Sequence, residues 1–296
     1  MFIASNWSDY ALLDAGGGKR LERWGDYVLV RPDPQVIWAG GEGGGWRKAH
    51  GVYSRSSGGG GSWVKKEMPE EWEISYNLNG KTDDDSVMRF SVSPMGFKHT
   101  GVFPEQAANW DWFSDLIKKA GRPIKLLNLF AYTGGASIAA AKAGAFVCHV
   151  DASKGMVARA KLNASISGVR QDGIRFIVDD CFKFVRREQR RGNKYDAIIL
   201  DPPSYGRGPG GEKWSLEADL DSLVADLVPL LSDNPLFVLL NSYTAGLSPP
   251  PAATFWVLLL SPALAAEWTV TSWGFPWRQV VFACPAAHLQ GLLFKR

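Results

Sequence analysis

Asp201 and the two prolines that follow it form the part of this sequence best suited to chemistry. They end an apolar run, residues 195–200, whose composition is typical of a strand buried on both faces. Because neither proline can donate an N–H, pairing stops there and leaves rigid carbonyl groups beside a carboxylate. Such a set of acceptors suits an amino group, and an aromatic ring nearby offers a flat face for stacking a base. The turn predicts transfer chemistry on a nucleobase, with these candidate catalytic residues: Asp201, Pro202, Pro203, Ser204 and Tyr205.

A glycine-containing turn after an earlier apolar run is the second candidate site. Two glycines stand between a predicted strand, 125–131, and a predicted helix, 136–143, where a ligand could approach the backbone and free helical N–H groups. The fingerprint GxGxxG of dinucleotide sites is missing, and a pyrophosphate needs that longer cradle. The shorter turn suits an adenosine ligand without phosphate, such as S-adenosylmethionine. The candidate cofactor-binding residues here are Phe130, Tyr132, Thr133, Gly134 and Gly135.

Two further acidic residues follow predicted strands. Asp151 ends the second strand, 145–151, where a carboxylate can accept both ribose hydroxyls. Asp180 follows the third strand, 174–179, where it could bind the amino group of adenine. Each residue also precedes a helix, so each could equally be a helix N-cap. Together with Asp201, which could also face the cofactor, these positions indicate a ligand site at the carboxyl edge of a sheet.

The pattern of the chain from residue 125 on supplies such a sheet. Strands alternate with helices there, and five strands are predicted at 125–131, 145–151, 174–179, 195–200 and 236–240. This alternation predicts a parallel, doubly wound sheet, and residues 268–275 and 279–283 predict a final antiparallel pair. Before residue 105, short runs separated by glycine clusters predict a small antiparallel sheet. The predicted fold class is α/β, with a Gly/Trp-rich β module at 1–104 and a larger domain at 105–296.

The motifs together resemble those of class I S-adenosylmethionine-dependent methyltransferases. More closely, residues 85–285 are similar to the bacterial family of large-subunit ribosomal RNA cytosine-C5 methyltransferases, through segments 98–106, 126–135, 150–153, 162–164 and 200–205. The resemblance implies a Rossmann-like, seven-stranded methyltransferase sheet and S-adenosylmethionine as the cofactor. In the family, a segment like 98–106 folds over the cofactor, which adds Phe103 and Gln106 to the site. Ser153 lies in another matching segment, and Cys181 is interpreted as a small buried residue near adenine.

Two differences from the family concern RNA binding and the acceptor atom. The family's N-terminal PUA module has no room in this chain. Its nucleophilic cysteine would follow the fifth strand, where residues 241–243 are Asn-Ser-Tyr. Methylation at C5 of cytosine needs a thiolate, for which Cys181 would have to be recruited. A nitrogen acceptor needs no cysteine, because Asp201 and the Pro202 carbonyl would hold its hydrogens and aim its lone pair at the methyl group. Both routes stay open.

The overall composition of the chain limits which kinds of partner and which cellular location are expected. The chain is 46% hydrophobic and 21% charged, with a formal net charge of +3, which is an ordinary globular composition with a mildly basic balance. Its 3 cysteines form no CxxC pair, and His99, the one histidine in a suggestive loop, has no second histidine or carboxylate at ligand spacing, so neither a disulfide nor a bound metal is expected. Neither a secretory signal nor a membrane-spanning run is visible. These features predict a cytoplasmic protein without a membrane partner.

The expected partner is RNA, in particular ribosomal RNA. A base must leave its stack to reach the site, and stacking on one aromatic ring returns about 1–3 kcal/mol of that cost. The glycine-rich segment 206–211 is expected to be a mobile loop that could close over a base. A basic edge could bind phosphates or equally be a solvated helix face; it consists of Arg186, Arg187, Arg190, Arg191 and Lys194.

The leading hypothesis is therefore an S-adenosylmethionine-dependent methyltransferase that acts on a base in ribosomal RNA. One alternative is a methyltransferase for a small molecule or a protein side chain. Another is a protein that binds the cofactor without turnover. A nicotinamide dehydrogenase is disfavoured because its glycine pattern is missing.

Overall fold

The computed structural model describes residues 4–56, 60–208, 210–242, 269–274 and 278–283. These residues divide into two compact units. The first, called the N-terminal unit, comprises residues 4–111 together with Leu162–Gly168. The second, called the C-terminal unit, comprises Trp112–Lys161 and the described residues from Val169 on.

The N-terminal unit contains two small sheets. The first has the strand order β1 (Tyr10–Gly16), β2 (Lys19–Trp24), β3 (Tyr27–Pro32), β4 (Gly51–Arg55), β5 (Gly61–Lys66). The second is a hairpin of β6 (Trp72–Asn77) and β7 (Val87–Val92), whose connection at 81–85 is exposed. The pairs are antiparallel except β3 with β4, which is parallel. The connection 33–50, which includes the short helix α1 (Gly44–Arg47), is long enough for the crossover that a parallel pair requires.

Aromatic side chains form much of the core of the N-terminal unit. Trp24, Tyr76 and Phe90 are fully buried. The ring of Trp110 packs against Phe90 with a centroid separation of 5.5 Å. Trp24 and Trp110 thus serve as core residues, whereas Trp38 is exposed.

A buried ion pair links β2 and β3. Arg31 donates from Nε to Glu22 Oε2 over 2.6 Å and from Nη2 to Glu22 Oε1 over 2.9 Å. Tyr10 donates its hydroxyl to Glu22, and the Arg31 guanidinium lies 4.9 Å from the Trp24 ring centroid. Burial alone would raise the pKa of Glu22, but Arg31, together with Arg20 and the Tyr10 hydroxyl, outweighs burial and lowers that pKa to about 2. Arg31 also donates to the carbonyl of Lys98, which ties segment 98–106 to the sheet.

The C-terminal unit contains a seven-stranded sheet with helices between its strands. Its strands are, in spatial order, β10 (Ile174–Val178), β9 (Phe146–Asp151), β8 (Lys125–Leu129), β11 (Ala197–Leu200), β14 (Phe237–Ser242), β16 (Arg278–Ala283) and β15 (Thr269–Gly274). A separate hairpin pairs β12 (Tyr205–Arg207) with β13 (Lys213–Ser215). The larger helices are α2 (Ala107–Lys119), α3 (Gly135–Lys142), α4 (Lys154–Ile166), α5 (Cys181–Arg190) and α6 (Leu216–Leu227). The first five strands of the sheet are parallel and the last pair is antiparallel, so the predicted fold class is confirmed.

Burial on both faces explains the composition of the central strands. All residues of β11 are buried, and Leu126, Leu127 and Leu129 of β8 have no exposed surface. Parallel strands covered by helices on both faces have this continuous apolar pattern. Helix α6 ends at Leu227 and is followed by a 3-10 turn, because Pro229 cannot continue an α-helix.

The last residues of α4 belong to the N-terminal unit. Asn163 accepts a hydrogen bond from the backbone N–H of Ser91 over 2.9 Å. The hydroxyl of Ser167 accepts from the N–H of Arg89 and donates to the carbonyl of the same residue. Asn163 and Ser167 are fully buried. Side chains of segment Leu162–Gly168 therefore pair with the backbone of β7.

A chain of polar side chains lies inside the C-terminal unit, between β8, α3 and β9. Asn128 Nδ2 donates to Ser137 Oγ over 2.9 Å, and Ser137 Oγ lies 3.0 Å from His149 Nδ1. His149 is fully buried. Burial lowers the pKa of His149 from 6.5 to about 3, so its imidazole stays neutral in the folded protein.

Acid is expected to destabilise the protein through His149. Below pH 6.5 the unfolded chain takes up a proton on this residue that the folded protein takes up only near pH 3. Stability should therefore fall as the pH falls through this window, by up to about 1.4 kcal/mol per pH unit. Urea unfolding at pH 7 and pH 5 should show a smaller loss for His149→Gln than for the wild type. An equal loss in both proteins would mean that His149 does not titrate as proposed.

Candidate functional site

The turns that carry the predicted site residues begin at one edge of the sheet. Strands β10, β9, β8 and β11 are parallel neighbours, and Leu129 of β8 is in register with Val150 of β9 and Leu200 of β11. The carboxyl ends of these strands therefore lie side by side. The structure brings together the turns that contain Phe130, Tyr132, Thr133, Gly134, Gly135, Asp151, Ser153, Asp180, Cys181 and Asp201. The functional role of each residue stays a prediction.

Residues 130–134, called the β8 turn, have an unusual backbone. Phe130 and Tyr132 have φ angles of 55° and 50°, and Gly134 has a φ of 92°. The left-handed region costs a non-glycine residue about 1–2 kcal/mol. Hydrogen bonds between backbone groups help to hold the turn: Ala131 N–H donates to the Val150 carbonyl, and Gly134 N–H donates to the Ala131 carbonyl. Such strained conformations are common where a protein binds a ligand.

Replacing Gly134 by alanine is expected to weaken cofactor binding by about 10-fold, because the left-handed backbone disfavours a Cβ by about 1–2 kcal/mol. The Cβ would also lie 3.1 Å from the Cβ of Ala160, so the turn would have to shift. Calorimetric titration with S-adenosylhomocysteine measures the effect.

Gly144 offers a matched comparison at the other end of α3. Its φ is 101°, and a Cβ there would meet nothing within 4 Å. Gly144→Ala should therefore lower stability to a similar extent without changing cofactor affinity. Equal affinities for the two variants would contradict a role for the β8 turn in cofactor binding.

Both carboxylate oxygens of Asp151 accept hydrogen bonds at the carboxyl edge of the sheet, which is called the rim. Oδ2 accepts the backbone N–H of Tyr132 over 2.8 Å, and Oδ1 accepts that of Ser153 over 2.8 Å. Burial raises the pKa of Asp151, and the two N–H groups partly offset this effect. The exposed Ser153 accepts the Met156 N–H and so provides the side-chain cap near the start of α4. Asp151 therefore braces the β8 turn and is not the cap of the helix.

Asp180 caps α5, which confirms the helix-cap interpretation of this residue. Its Oδ1 accepts the backbone N–H of Lys183 over 3.0 Å. Cys181, the first residue of the helix, is 4% exposed and packs in the apolar core. Burial raises the pKa of the Cys181 thiol, so this side chain is a poor nucleophile.

Residues 201–205, called the β11 turn, continue directly from the buried strand β11. The N–H of Asp201 faces the carbonyl of Leu129 at 3.4 Å. Pro202 is buried, whereas Pro203 is exposed and its carbonyl accepts the indole N–H of Trp214 over 2.6 Å. One of the two proline carbonyl groups predicted to bind a ligand is thus hydrogen-bonded to Trp214.

The end of the β11 turn leads into the β12–β13 hairpin. The Ser204 carbonyl accepts the backbone N–H of Leu216 over 3.0 Å. Tyr205, the first residue of β12, is 74% exposed, so its ring is open to a partner. In the described part of segment 206–211, residues 206 and 207 lie in the hairpin and Glu212 contacts the glycines that follow, and the mobility of this segment stays a prediction. Glu212 accepts hydrogen bonds from the N–H groups of Gly208 and Gly210.

Phe103 and Gln106 lie in the N-terminal unit, on a segment of short 3-10 helices. The Phe103 ring packs edge-to-face on His99 with centroids 5.4 Å apart. Gln106 is buried and accepts a hydrogen bond from Asn109 over 2.6 Å. A role of these two residues in cofactor binding stays a prediction from the resemblance.

The basic residues of α5 are mostly engaged within the C-terminal unit. Their ion pairs are Lys183–Glu212, Arg186–Asp226, Arg187–Asp179 and Arg191–Glu188. Lys194 donates to the carbonyl of Pro229. Paired cations attract a phosphate less strongly than free ones, so the structure favours the helix-face interpretation of this edge.

Trp214 is the residue of this region that the sequence analysis missed. It lies beyond the glycine-rich segment, and neither its type nor its spacing marks it as part of the site. Within the described ranges, no group of three potential metal ligands is present, and no helix is long and apolar enough to cross a membrane.

Comparisons with known proteins agree with this geometry. A family profile described as S-adenosylmethionine-dependent methyltransferase matches residues 35–240. Among solved structures, a SAM-dependent methyltransferase from Agrobacterium tumefaciens is 33% identical, with a TM-score of 0.80 over 94% of this chain and 91% of that chain.

Curated relatives share a shorter region. The chain is 31% identical over 156 residues to the ribosomal RNA large subunit methyltransferase K/L of Shewanella baltica, covering 52% of this chain and 21% of that protein. It is 32% identical over 160 residues to the ribosomal RNA large subunit methyltransferase I of Tolumonas auensis, covering 54% of this chain and 36% of that protein. The chain thus matches only a part of the length of either relative.

Proposed function

The chain belongs to the family of S-adenosylmethionine-dependent methyltransferases, and we propose that it transfers a methyl group from this cofactor to a base in ribosomal RNA. The observation that carries the proposal is the exposed ring of Tyr205. This residue is the last of the β11 turn, which begins with Asp201 at the carboxyl edge of the sheet. The names of two relatives, both ribosomal RNA large subunit methyltransferases, support an RNA acceptor. A cytoplasmic location is part of the proposal.

The rim residues fit S-adenosylmethionine by their hydrogen-bonding chemistry. Each carboxylate oxygen of Asp151 accepts one backbone N–H and retains a second lone pair for a ribose hydroxyl. Asp180 caps α5 through Oδ1, so Oδ2 can accept from the adenine amino group. The backbone of the β8 turn would hold the methionine end of the cofactor. When bound, S-adenosylmethionine supplies an electrophilic methyl group on its sulfonium.

The β11 turn would hold the acceptor. The Pro203 carbonyl is engaged by Trp214, so we assign the amino hydrogens of the acceptor to the Asp201 carboxylate and the Pro202 carbonyl. Tyr205 would stack on the base and return about 1–3 kcal/mol of the cost of unstacking it. Asp201 would also take the proton that an amino nitrogen loses when it is methylated. The rate enhancement would come mainly from orientation.

The described cysteines favour nitrogen over carbon as the acceptor atom. A C5 route needs a thiolate, and burial raises the pKa of Cys148 to about 11 and also raises that of Cys181. Cys284 lies outside the described residues. A nitrogen acceptor uses only the groups of the β11 turn.

Labelled methyl transfer to total RNA from cells that lack this protein tests the proposal. We expect label in large-subunit ribosomal RNA, and mass spectrometry of its nucleosides should identify an N-methylated base. The Cys181→Ala variant should keep its activity.

Two other outcomes would contradict this proposal. Label in protein or small molecules would support a different acceptor, and cofactor binding without transfer to any fraction would indicate a binding protein. A C5-methylated cytosine that disappears in Cys181→Ala would overturn the nitrogen acceptor alone.

A further inference from the structure

We propose that Trp214 is a positioning residue that fixes the β11 turn relative to the β8 turn. The inference rests on the proposed function, which assigns the acceptor to the first turn and the cofactor to the second. It extends that function by assigning the alignment of the two reactants to a side chain that belongs to neither turn. Trp214 lies on β13 and is 8% exposed.

The first contact is a hydrogen bond to the β11 turn. The indole N–H of Trp214 donates to the Pro203 carbonyl over 2.6 Å. Neither Pro202 nor Pro203 has an N–H, so a carbonyl bond is the way in which this part of the turn can be tied to its surroundings. Trp214 is paired with Gly206 in the hairpin, so its backbone lies opposite the residues that directly follow the turn. The bond thus fixes the direction of the backbone just after Asp201.

The second contact is with the β8 turn. The indole ring packs on Phe130 with a centroid distance of 4.9 Å and an interplanar angle of 47°. Phe130 is in the left-handed region, which costs about 1–2 kcal/mol and requires surrounding contacts to hold it there. Trp214 is one of these contacts. The side chain of Trp214 therefore contacts both turns, through Pro203 in the β11 turn and Phe130 in the β8 turn.

The remaining contacts make Trp214 a firm support. Its ring also packs on Phe182 of α5, at 6.0 Å between centroids, and it belongs to the apolar core of the C-terminal unit. The strands β12 and β13 have three residues each, too few to be stable without an anchor. Trp214 anchors the hairpin. Since a displacement of about 1 Å can cost about 100-fold in rate, this support bears directly on methyl transfer.

Two variants separate the two contacts. Trp214→Phe keeps an aromatic ring but loses the N–H, so we expect kcat for total RNA at saturating S-adenosylmethionine to fall by about 10-fold or more. The dissociation constant of S-adenosylhomocysteine should stay within about 2-fold, since the ring contact remains. Trp214→Leu loses the ring as well, so that dissociation constant should rise by about 5-fold, as expected for a lost aromatic pair.

Trp72 provides the matched control in the N-terminal unit. Its indole N–H donates to the Trp24 carbonyl over 3.0 Å. Trp72→Phe removes the same kind of hydrogen bond and should lower the melting temperature without changing kcat or the affinity for S-adenosylhomocysteine. Wild-type kcat in Trp214→Phe, or wild-type affinity in Trp214→Leu, would overturn the inference, as would equal effects at Trp72. If the wild type methylates no RNA, the proposed function fails, and the affinity measurements alone decide the inference.

Discussion

Replacing Asp201 by asparagine is expected to lower the rate of methyl transfer by about 100-fold or more. Asparagine has nearly the same size, but it replaces one acceptor oxygen with an NH2 group. This NH2 group is a donor, so it cannot accept a hydrogen bond from the amino group of the substrate. The variant also lacks the carboxylate that would take up the proton from the methylated nitrogen. Single-turnover transfer of label to RNA measures the rate, and calorimetry with S-adenosylhomocysteine measures cofactor affinity, which should change much less.

Asp226 is a suitable comparison for Asp201. It lies on α6 in the same unit, pairs with Arg186 at 3.0 Å and has no proposed role in catalysis. Asp226→Asn should transfer methyl groups at the wild-type rate. A normal rate in Asp201→Asn would remove its carboxylate from the mechanism. Equal losses of rate and cofactor affinity would instead place Asp201 at the cofactor.

Replacing Arg31 by methionine should lower the free energy of unfolding by about 3 kcal/mol, the low end of the usual cost of removing one partner of a buried ion pair, because Arg20 Nη1 stays 3.8 Å from Glu22 Oε1. Glu22 has no exposed surface, and the substitution removes both of its hydrogen bonds from Arg31. Urea unfolding at pH 7, followed by tryptophan fluorescence, measures the loss. The deficit should shrink as the pH falls from 4.5, the ordinary pKa of a glutamate, towards 2, because the wild type then loses the stability that the lowered pKa of its Glu22 provides.

A double variant shows whether the stranded charge is the cause. Glu22→Gln combined with Arg31→Met removes both charges and keeps an acceptor for Tyr10, so it should recover much of the lost stability. As an exposed counterpart, Lys119→Met breaks a surface pair with Asp115 and should cost less than about 1 kcal/mol. A loss of that small size for Arg31→Met would contradict the assigned role of the buried pair.

The parallel sheet and its rim could be predicted because their causes are local in sequence. Apolar runs that end in glycine, proline or aspartate mark strands covered on both faces, and β11 with its Asp-Pro-Pro sequence is the clearest case. Alternation of such runs with helices then determines which ends of the strands meet. The rim follows from these two facts without knowledge of any distant contact.

The features that escaped prediction depend on contacts between distant residues. Trp214 packs on Phe130, and nothing in the sequence between them indicates that contact. The left-handed angles of Phe130 and Tyr132 contradict the preferences of their residue types. The glycines at 206–211 do not indicate the hydrogen bond from the Gly210 N–H to the Glu212 carboxylate. The parallel pairing of β3 with β4 likewise depends on the path of the connection between them.

The end of α4 depends on β7 of the N-terminal unit for its hydrogen bonds. Asn163 and Ser167 bond to the main chain of Ser91 and Arg89, far earlier in the sequence. A shortened protein that starts after residue 104 would lack both of these partners and would leave a buried amide and hydroxyl without them. Engineers who wish to graft the methyltransferase sheet onto another protein must therefore carry β7 along or redesign the final turn of that helix.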